Sequence, residues 1–190
     1  MRLILASASP RRRELLARCG VPFVTATAEV AELTRHEDPL RLPQINAERK
    51  AGAVSEQYPD DLVLGADTVI LFNGTVIGKP RDPADAAAIL RRLSGQRHQV
   101  VTGVSFCCRS QGIKKTFPVI SEVFFRPFDE TVIERYLAAV PVLDKAGAYA
   151  LQDHGDWLVE RVEGEPENVV GLPVCRITAE LAAMGLPAAK

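Results

Sequence analysis

The sequence predicts an α/β protein built on a mixed β-sheet. Strand-and-helix units open the chain, β-hairpins fill its middle, and further helices follow, an order typical of mixed sheets. The 190 residues are enough for one substantial domain or for two small lobes that share a core. Apolar residues make up 47% and charged residues 25% of the chain, which excludes wholesale disorder, collagen and coiled coils.

Charge and cysteine content narrow the function classes. Lys and Arg number 23 and Asp and Glu number 24, and this balance disfavours a dedicated nucleic-acid binder because such proteins are clearly basic. No apolar run reaches the roughly 18 residues that a membrane span needs. The four cysteines form no C-x-x-C pair, so we expect reduced thiols in a cytoplasmic protein.

The first elements are a strand, a helix and a second strand. Residues 2–6 predict a short strand. Its apolar part is too short for a signal peptide, and the arginines that follow it favour a buried strand entering a helix. Ser9 is suited to cap that helix, with Pro10 at its first position. Gly20 can end it in the left-handed conformation, and a strand over 23–28 follows.

A polar loop and a long helix come next. We predict a loop over residues 29–38 and a helix over 40–57, with Leu40 and Ile45 facing inward. Pro43 is awkward in the interior of a helix, so the helix could instead begin at Pro43 itself.

The middle of the chain reads as hairpin, helix and two long strands. Residues 62–77 predict a hairpin around the turn Asn73-Gly74. A helix over 82–93 begins with an Asp-Pro pair, and long strands are expected over 98–108 and 116–125.

The last third mixes helices with short strands. Asp129 is suited to cap a helix that runs to about Ala139. We predict strands over 148–152 and 156–162 and a closing helix over 173–184.

The turn over residues 7–13 is the first candidate functional segment. It carries two hydroxyls and three arginines at a helix N-terminus, where free N–H groups and the helix dipole favour an anion. Successive helical positions differ by about 100°, so two of the arginines can face one ligand and the third meets solvent. A solvated basic turn is the alternative interpretation.

Asp67 is the second candidate, because it lies in an otherwise apolar strand. A buried carboxylate must be partnered, protonated, metal-bound or placed at the wall of a binding site. A structural Asp bonded to a neighbouring turn remains the alternative. Together with Glu32, Lys50 and Lys79, these residues suit a nucleotide polyphosphate with Mg²⁺.

Six short motifs make the chain resemble the Maf-family nucleoside triphosphate pyrophosphatases. They occur in the family's order and span nearly the whole chain: LASASPRR at 5–12, GADT at 65–68, GKP at 78–80, LSG at 93–95, DKAGAY at 144–149 and NVVGLP at 168–173. The resemblance implies one domain over residues 1–190 with an inosine-triphosphatase-like fold, two lobes around a central cleft. It also implies hydrolysis of a nucleoside triphosphate to the monophosphate and pyrophosphate, a divalent cation (Mg²⁺ or Mn²⁺), a cytoplasmic homodimer and a link to septum inhibition.

The resemblance also assigns roles to individual residues. Asp67 matches the family's proton acceptor, and Glu32 matches a second acidic residue that would hold the metal with it. Five further positions match the phosphate-binding residues of the family: Ser7, Arg11, Arg12, Lys50 and Lys79.

Substrate choice within the family depends on three positions. The subgroup that acts on dTTP and UTP carries Arg, Thr and Gln there, and this chain has Arg12, Thr68 and Gln152. The Gln152 amide can accept from pyrimidine N3–H and donate to O4, but a flipped amide would suit cytosine, so CTP stays open. Ala31 and Asp153 depart from the family pattern, as do Pro43 and Asn46 in the helix that follows.

Three alternatives remain at this point. The sister subgroup that acts on 7-methyl-GTP is disfavoured by Thr68 and Gln152. A non-catalytic nucleotide-binding regulator of division would be expected to lack Asp67 or Lys79, and both are present. RNA binding through the arginines would need a basic stripe with stacking aromatics, whereas aromatic residues make up only 6% of the chain.

Overall fold

The computed structural model describes residues 1–186. The strands are β1 Leu3–Ala6, β2 Phe23–Ala26, β3 Leu62–Phe72, β4 Thr75–Ile77, β5 Arg97–Cys108, β6 Ile113–Phe125 and β7 Val159–Glu163. The helices are α1 Pro10–Ala17, α2 Arg41–Gln57, α3 Pro83–Leu93, α4 Glu130–Ala139, α5 Pro166–Val170 and α6 Val174–Ala183. Within the described residues, no helix is both long and apolar enough to cross a membrane.

The strands form one mixed sheet, as predicted. Their order is β2-β1-β3-β5-β6-β7, and β4 pairs with β3. β1 lies parallel to both β2 and β3, with Leu5 opposite Thr25 and Leu64. β4 runs antiparallel to β3, and β7 runs antiparallel to β6. Parallel and antiparallel strand pairs therefore share the sheet.

The chain divides into two compact units. Unit 1 contains residues 1–68 and 102–119 and the chain from Gly171 onward, and unit 2 contains 69–101 and 120–170. The divisions fall inside β3, β5 and β6. The expectation of a single domain over 1–190 stays a prediction.

In unit 1, α2 packs closely on the sheet because two strand residues are glycines. A Cβ at Gly65 of β3 would lie 2.4 Å from the carbonyl oxygen of Ala47. A Cβ at Gly103 of β5 would lie 2.3 Å from the carbonyl of Pro43. Side chains at these strand positions would push the helix away, so both glycines are required for its close approach.

The helix α2 begins at Arg41, two residues before Pro43. Pro43 is accommodated in the first turn, where its missing N–H costs no helical hydrogen bond. The predicted inward face is only partly right: Leu40 and Ile45 are half-buried, whereas Leu42 and Asn46 are fully buried.

In unit 2, a large apolar cluster covers the sheet beneath α3 and α4. Its most deeply buried members include Leu90, Leu93, Tyr136 and Leu158. The helix predicted to begin at the Asp-Pro pair is present, and Asp82 caps it by accepting from the N–H of Asp85 at 2.8 Å. Asp129 likewise accepts from the N–H of Val132 at 3.1 Å, as a helix N-cap does.

The segment over 146–163 departs from the prediction. The strand expected over 148–152 is wrong, since residues 146–148 form a single 3₁₀ turn. Gly147 and Ala148 have φ values of 72° and 59°, and this left-handed backbone cannot continue as a strand. Residues 155–157 form a second 3₁₀ turn, so β7 starts at Val159 rather than at 156. The short helix α5 was not predicted.

Candidate active site

Asp67 lies in β3 of unit 1 and is bound by two side chains from α2. Gly65 and Asp67 share a face of the strand because side chains alternate, and α2 lies against that face at Gly65. Lys50 Nζ donates to Asp67 Oδ1 at 2.7 Å, and Asn46 Nδ2 donates to Oδ2 at 3.0 Å. Asn46 and Lys50 are one helical turn apart, so both reach the same carboxylate. The buried carboxylate of Asp67 is therefore partnered through both of its oxygens.

Lys50 also joins Asp67 to Glu32. Its Nζ lies 3.0 Å from Glu32 Oε1. The Glu32 side chain is 53% exposed, while those of Lys50 and Asp67 are 15% and 11% exposed. Two carboxylates and one ammonium leave a net negative charge, half-open to solvent. A negative group that is partly open to solvent attracts cations.

Arg12 forms a second polar group in unit 1. Its Nε donates to the carbonyl oxygen of Gly171 at 2.9 Å, and a terminal nitrogen donates to Thr68 Oγ1 at 3.1 Å. Burial lowers the pKa of Arg12, and the negative charges of Asp67 and Glu32 oppose that change. Arg12 is therefore close enough to Asp67 and Glu32 for their charges to interact.

The turn before α1 is arranged as a helix N-terminus. Ser7 Oγ accepts from the N–H of Ser9 at 3.2 Å, and Ser9 Oγ accepts from the N–H of Arg12 at 3.4 Å. Arg13 is exposed, as expected for the third arginine, whereas Arg11 and Arg12 are half-buried. Arg11 and Arg12 are thus partly shielded from solvent, whereas Arg13 is not.

Lys79 and Gln152 belong to unit 2. Lys79 is exposed in the turn after β4, and the neighbouring Gly78 carbonyl accepts from the N–H of Gly147 at 3.0 Å. The exposed Gln152 lines a surface pocket of about 540 Å³ together with Asp153 and His154. The structure therefore brings Glu32, Lys50 and Asp67 into direct contact, and it places Lys79 and Gln152 in other surroundings within unit 2.

Lys145 of the DKAGAY motif has a structural environment. Its side chain is 8% exposed and donates to Asp144 Oδ1 at 2.8 Å and to the carbonyl of Pro141. Its ammonium thus holds the loop after α4 through two of its three N–H groups.

Sequence reasoning missed two contacts in unit 1. Asn46 was noted only as a departure in a helix, although its spacing of four residues from Lys50 is the signal that puts both on one face. Thr102 Oγ1 lies 2.9 Å from Thr68 Oγ1 and supports it from β5. Nothing in the apolar run around Thr102 distinguishes it from an ordinary strand threonine.

The donor set of unit 1 fits a magnesium ion shared with a substrate. Within residues 1–186 there is no group of three or more His, Cys, Asp or Glu side chains that could hold a metal by themselves. Asp67 and Glu32 offer hard carboxylate oxygens, and Mg²⁺ typically takes one or two of these with substrate phosphates and water.

With this geometry established, comparison with known proteins identifies the family. A family model described as "Maf-like protein" matches residues 2–184. The chain belongs to the Maf family. This confirms the resemblance carried by the six motifs.

Curated relatives and a solved structure extend that result. A dTTP/UTP pyrophosphatase of Akkermansia muciniphila is 44% identical to this Maf chain over 173 residues, which is 90% of each protein. One of Symbiobacterium thermophilum is 44% identical over 186 residues, covering 97% of this chain and 95% of the relative. The Staphylococcus aureus Ham1 protein has a TM-score of 0.55 at 15% identity, covering 97% of this chain and all of the other. The Ham1 likeness concerns the fold alone and agrees with the predicted fold class.

Proposed function

We propose that this Maf chain hydrolyses dTTP and UTP to the nucleoside monophosphate and pyrophosphate. The observation that carries the proposal is a pair of ion pairs that share one lysine. Lys50 contacts both Asp67 and the half-exposed Glu32. Relatives more than 40% identical over nearly the whole chain are named dTTP/UTP pyrophosphatases, which supports the same reaction and substrates.

In the proposed reaction, a water molecule attacks the α-phosphorus of the triphosphate. Asp67 accepts the proton of that water, the bond between the α-phosphorus and the bridging oxygen breaks, and pyrophosphate leaves with the electron pair. Glu32 and Asp67 would hold a divalent cation, Mg²⁺ or Mn²⁺, which neutralises phosphate charge when bound.

The phosphate groups would be bound by the cations and the hydroxyl that the motifs supply. Their task is to stabilise the negative charge that grows on the leaving pyrophosphate. We assign this role to Ser7, Arg11, Arg12, Lys50 and Lys79.

The base would be chosen by Arg12, Thr68 and Gln152. Arg12 and Thr68 are already hydrogen-bonded to each other, and this holds the guanidinium in one orientation before any nucleotide binds. Gln152 lines an open pocket, and its amide can pair with N3–H and O4 of thymine or uracil.

A nucleotide panel tests the proposal. The purified chain is incubated with dTTP, UTP, CTP, ATP or 7-methyl-GTP and with Mg²⁺ or Mn²⁺. Released phosphate is measured with and without added inorganic pyrophosphatase. We expect a signal only when the pyrophosphatase is added, and the strongest signal with dTTP and UTP.

The other outcomes each contradict one part of the proposal. Phosphate released without the added enzyme would mean cleavage at the γ-phosphate. A preference for 7-methyl-GTP would move the chain to the sister subgroup. Binding of nucleotides without turnover would make it a regulator that retains the site but not the reaction.

A further inference from the structure

We propose that Asn46 is a positioning residue of this site, one that holds the Glu32 loop and the Asp67 carboxylate in fixed relation. The proposal rests on the proposed function of Asp67 and Glu32. The family resemblance assigns Asn46 no role, and the residue is a departure from the usual helix sequence.

Asn46 uses its amide on two partners at once. Its Oδ1 accepts from the N–H of Leu33 at 2.8 Å, and its Nδ2 donates to the carbonyl of Leu33 at 3.0 Å. The second N–H of Nδ2 donates to Asp67 Oδ2 at 3.0 Å. The side chain has no rotational alternative, because a flipped amide would set its NH₂ against the Leu33 N–H and its oxygen against the Asp67 carboxylate.

The bonds to Leu33 hold the loop directly beside Glu32. Leu33 follows Glu32 in the chain, so fixing both backbone groups of Leu33 restricts where the Glu32 carboxylate can reach. Arg49 also holds this loop through the carbonyl of Ala31 at 2.7 Å, but that contact is exposed to solvent. The contacts of Asn46 are shielded, since its residue is 2% exposed. Hydrogen bonds shielded from water hold geometry more tightly than exposed ones.

Asn46 and Lys50 would respond differently to a bound substrate. Lys50 also contacts both Glu32 and Asp67, but it carries a charge that phosphate oxygens would attract. The amide of Asn46 is neutral and buried behind Asp67, so its bonds persist when Lys50 turns to phosphate. Asn46 is therefore the fixed support of the two carboxylates, and Lys50 is the exchangeable one.

Two substitutions separate the two contacts of Asn46. Asn46→Leu keeps the branched shape of the side chain, with larger terminal groups, and removes both contacts. Asn46→Asp keeps an oxygen that can accept from Leu33 N–H but has no N–H for Asp67 and sets a second negative charge beside it. Gln44→Ala is the matched control, since Gln44 is a buried amide of the same helix whose own contacts are with Arg41 and the Leu40 carbonyl.

Four quantities are measured for the full chain: kcat and KM for dTTP at saturating Mg²⁺, the melting temperature, and amide hydrogen exchange at Leu33. We expect Asn46→Leu to lower kcat by about 10- to 100-fold, the usual cost of removing a side chain that orients a metal-binding carboxylate. KM should stay within about threefold, because Asn46 touches no substrate group. Leu33 exchange should become faster in Asn46→Leu, since its N–H loses its acceptor.

Asn46→Asp should lower kcat by a similar factor while Leu33 stays protected. Gln44→Ala should keep the kcat and the Leu33 exchange of the wild type. If kcat in both Asn46 variants equals that of the wild type, the positioning role is wrong. An equal fall of kcat in Gln44→Ala would also overturn it, because the loss would then reflect the helix as a whole.

Failure of the proposed function gives a different result. In that case the wild type turns over no nucleotide of the panel, whereas the exchange measurement at Leu33 still decides whether Asn46 holds the loop. If Asn46→Leu does not fold, Asn46→Asp alone tests the contact with Asp67. A wild-type kcat in that variant overturns the proposal.

Discussion

The two units bury their polar side chains in opposite ways. In unit 1, Lys50 and Asp67 are ionised partners 2.7 Å apart, and the half-exposed Glu32 joins them. In unit 2, His98 and Tyr149 are buried among aromatic rings and share one hydrogen bond of 2.8 Å. The first arrangement keeps its charges by pairing them, whereas the second removes charge altogether.

The cluster in unit 2 shows the physical cause of neutrality. The ring of Phe125 lies 4.8 Å from that of His98 and 4.9 Å from that of Tyr149, each edge to face. Burial lowers the pKa of His98 from 6.5 to about 4. Burial also raises the pKa of Tyr149. Among the described residues, His98 Nδ1 has no hydrogen-bond partner, so either tautomer leaves one ring nitrogen unsatisfied.

The difference predicts what substitutions will change. A charged cluster that is partly open can exchange one partner for a ligand, so its loss should affect turnover more than stability. A neutral cluster sealed by aromatic rings has nothing to exchange, so its loss should affect stability and its pH dependence more than turnover.

The largest effect is expected from Asp67→Asn. The amide keeps the size of the side chain but cannot accept the proton of the attacking water, so kcat for dTTP should fall by at least about 100-fold. The melting temperature should fall modestly beside this loss of turnover, since Lys50 and Asn46 both donate to Asp67 and the Asn oxygen can accept from only one of them. Steady-state kinetics and thermal unfolding measure the two quantities.

Asp61→Asn is the matched control for Asp67→Asn. Asp61 is a buried carboxylate of unit 1 that pairs with Arg2 at 2.6 Å, outside the proposed site. We expect it to alter stability and leave kcat unchanged. Near-wild-type turnover in Asp67→Asn would remove Asp67 from the reaction.

A smaller effect is expected from the pH dependence of His98. Above pH 6.5 the residue is neutral in both folded and unfolded chains, and its neutral burial is then fully compatible with folding. Between pH 6.5 and about 4 the unfolded chain binds a proton that the folded chain does not, so stability falls as pH falls. His98 should therefore cost about 2 kcal/mol of unfolding free energy between about pH 7 and pH 5.

Urea unfolding of the wild type and of His98→Leu at pH 7, 6 and 5 measures how much His98 contributes to the pH dependence of the unfolding free energy. The variant should be less stable at pH 7, because Tyr149 loses its partner, and it should lose less stability on acidification. His36→Asn, at an exposed position, should keep the wild-type dependence. Parallel pH profiles for the wild type and His98→Leu would show that His98 is not the group that titrates.

The features that sequence could predict are those with local causes. Ser9, Asp82 and Asp129 cap helices through their own side chains, and the Asn73-Gly74 turn adopts φ values of 50° and 73°. Asp67 could be singled out because a carboxylate in an apolar strand needs a partner. These signals depend on residues close in the chain, so one sequence carries them.

The features that sequence could not predict depend on distant contacts. The strand expected over 148–152 failed because Gly147 adopts a left-handed turn there, where a Cβ would lie 2.4 Å from Ile70 Cδ1. Asn46 and Thr102 contact the site only because α2 and β5 lie beside β3. Thr102 is an ordinary strand residue that no spacing rule singles out, and the four-residue spacing of Asn46 from Lys50 places it on the same helix face without showing that this face meets Asp67.

The smallest effect is expected from substitutions of the arginines of α1. Arg12 is fixed by Gly171 and Thr68, whereas Arg13 is exposed. We expect Arg12→Ala to lower kcat/KM for dTTP by about tenfold, since it removes a charged group held toward Asp67 and Glu32. Arg13→Ala should stay within about twofold of the wild type, as surface substitutions usually do.

Measuring kcat/KM for both variants tests whether Arg12 acts from one fixed orientation or whether the arginines act through their summed charge. If the arginines acted only through their summed charge, the two variants would lose similar activity, and raising the salt concentration would reduce both losses alike. If Arg12 acts from one fixed orientation, only its loss is large. That loss then persists at high salt, because the guanidinium is half-buried and held by Gly171 and Thr68. Equal losses would mean that the wrong face of α1 has been assigned to the nucleotide.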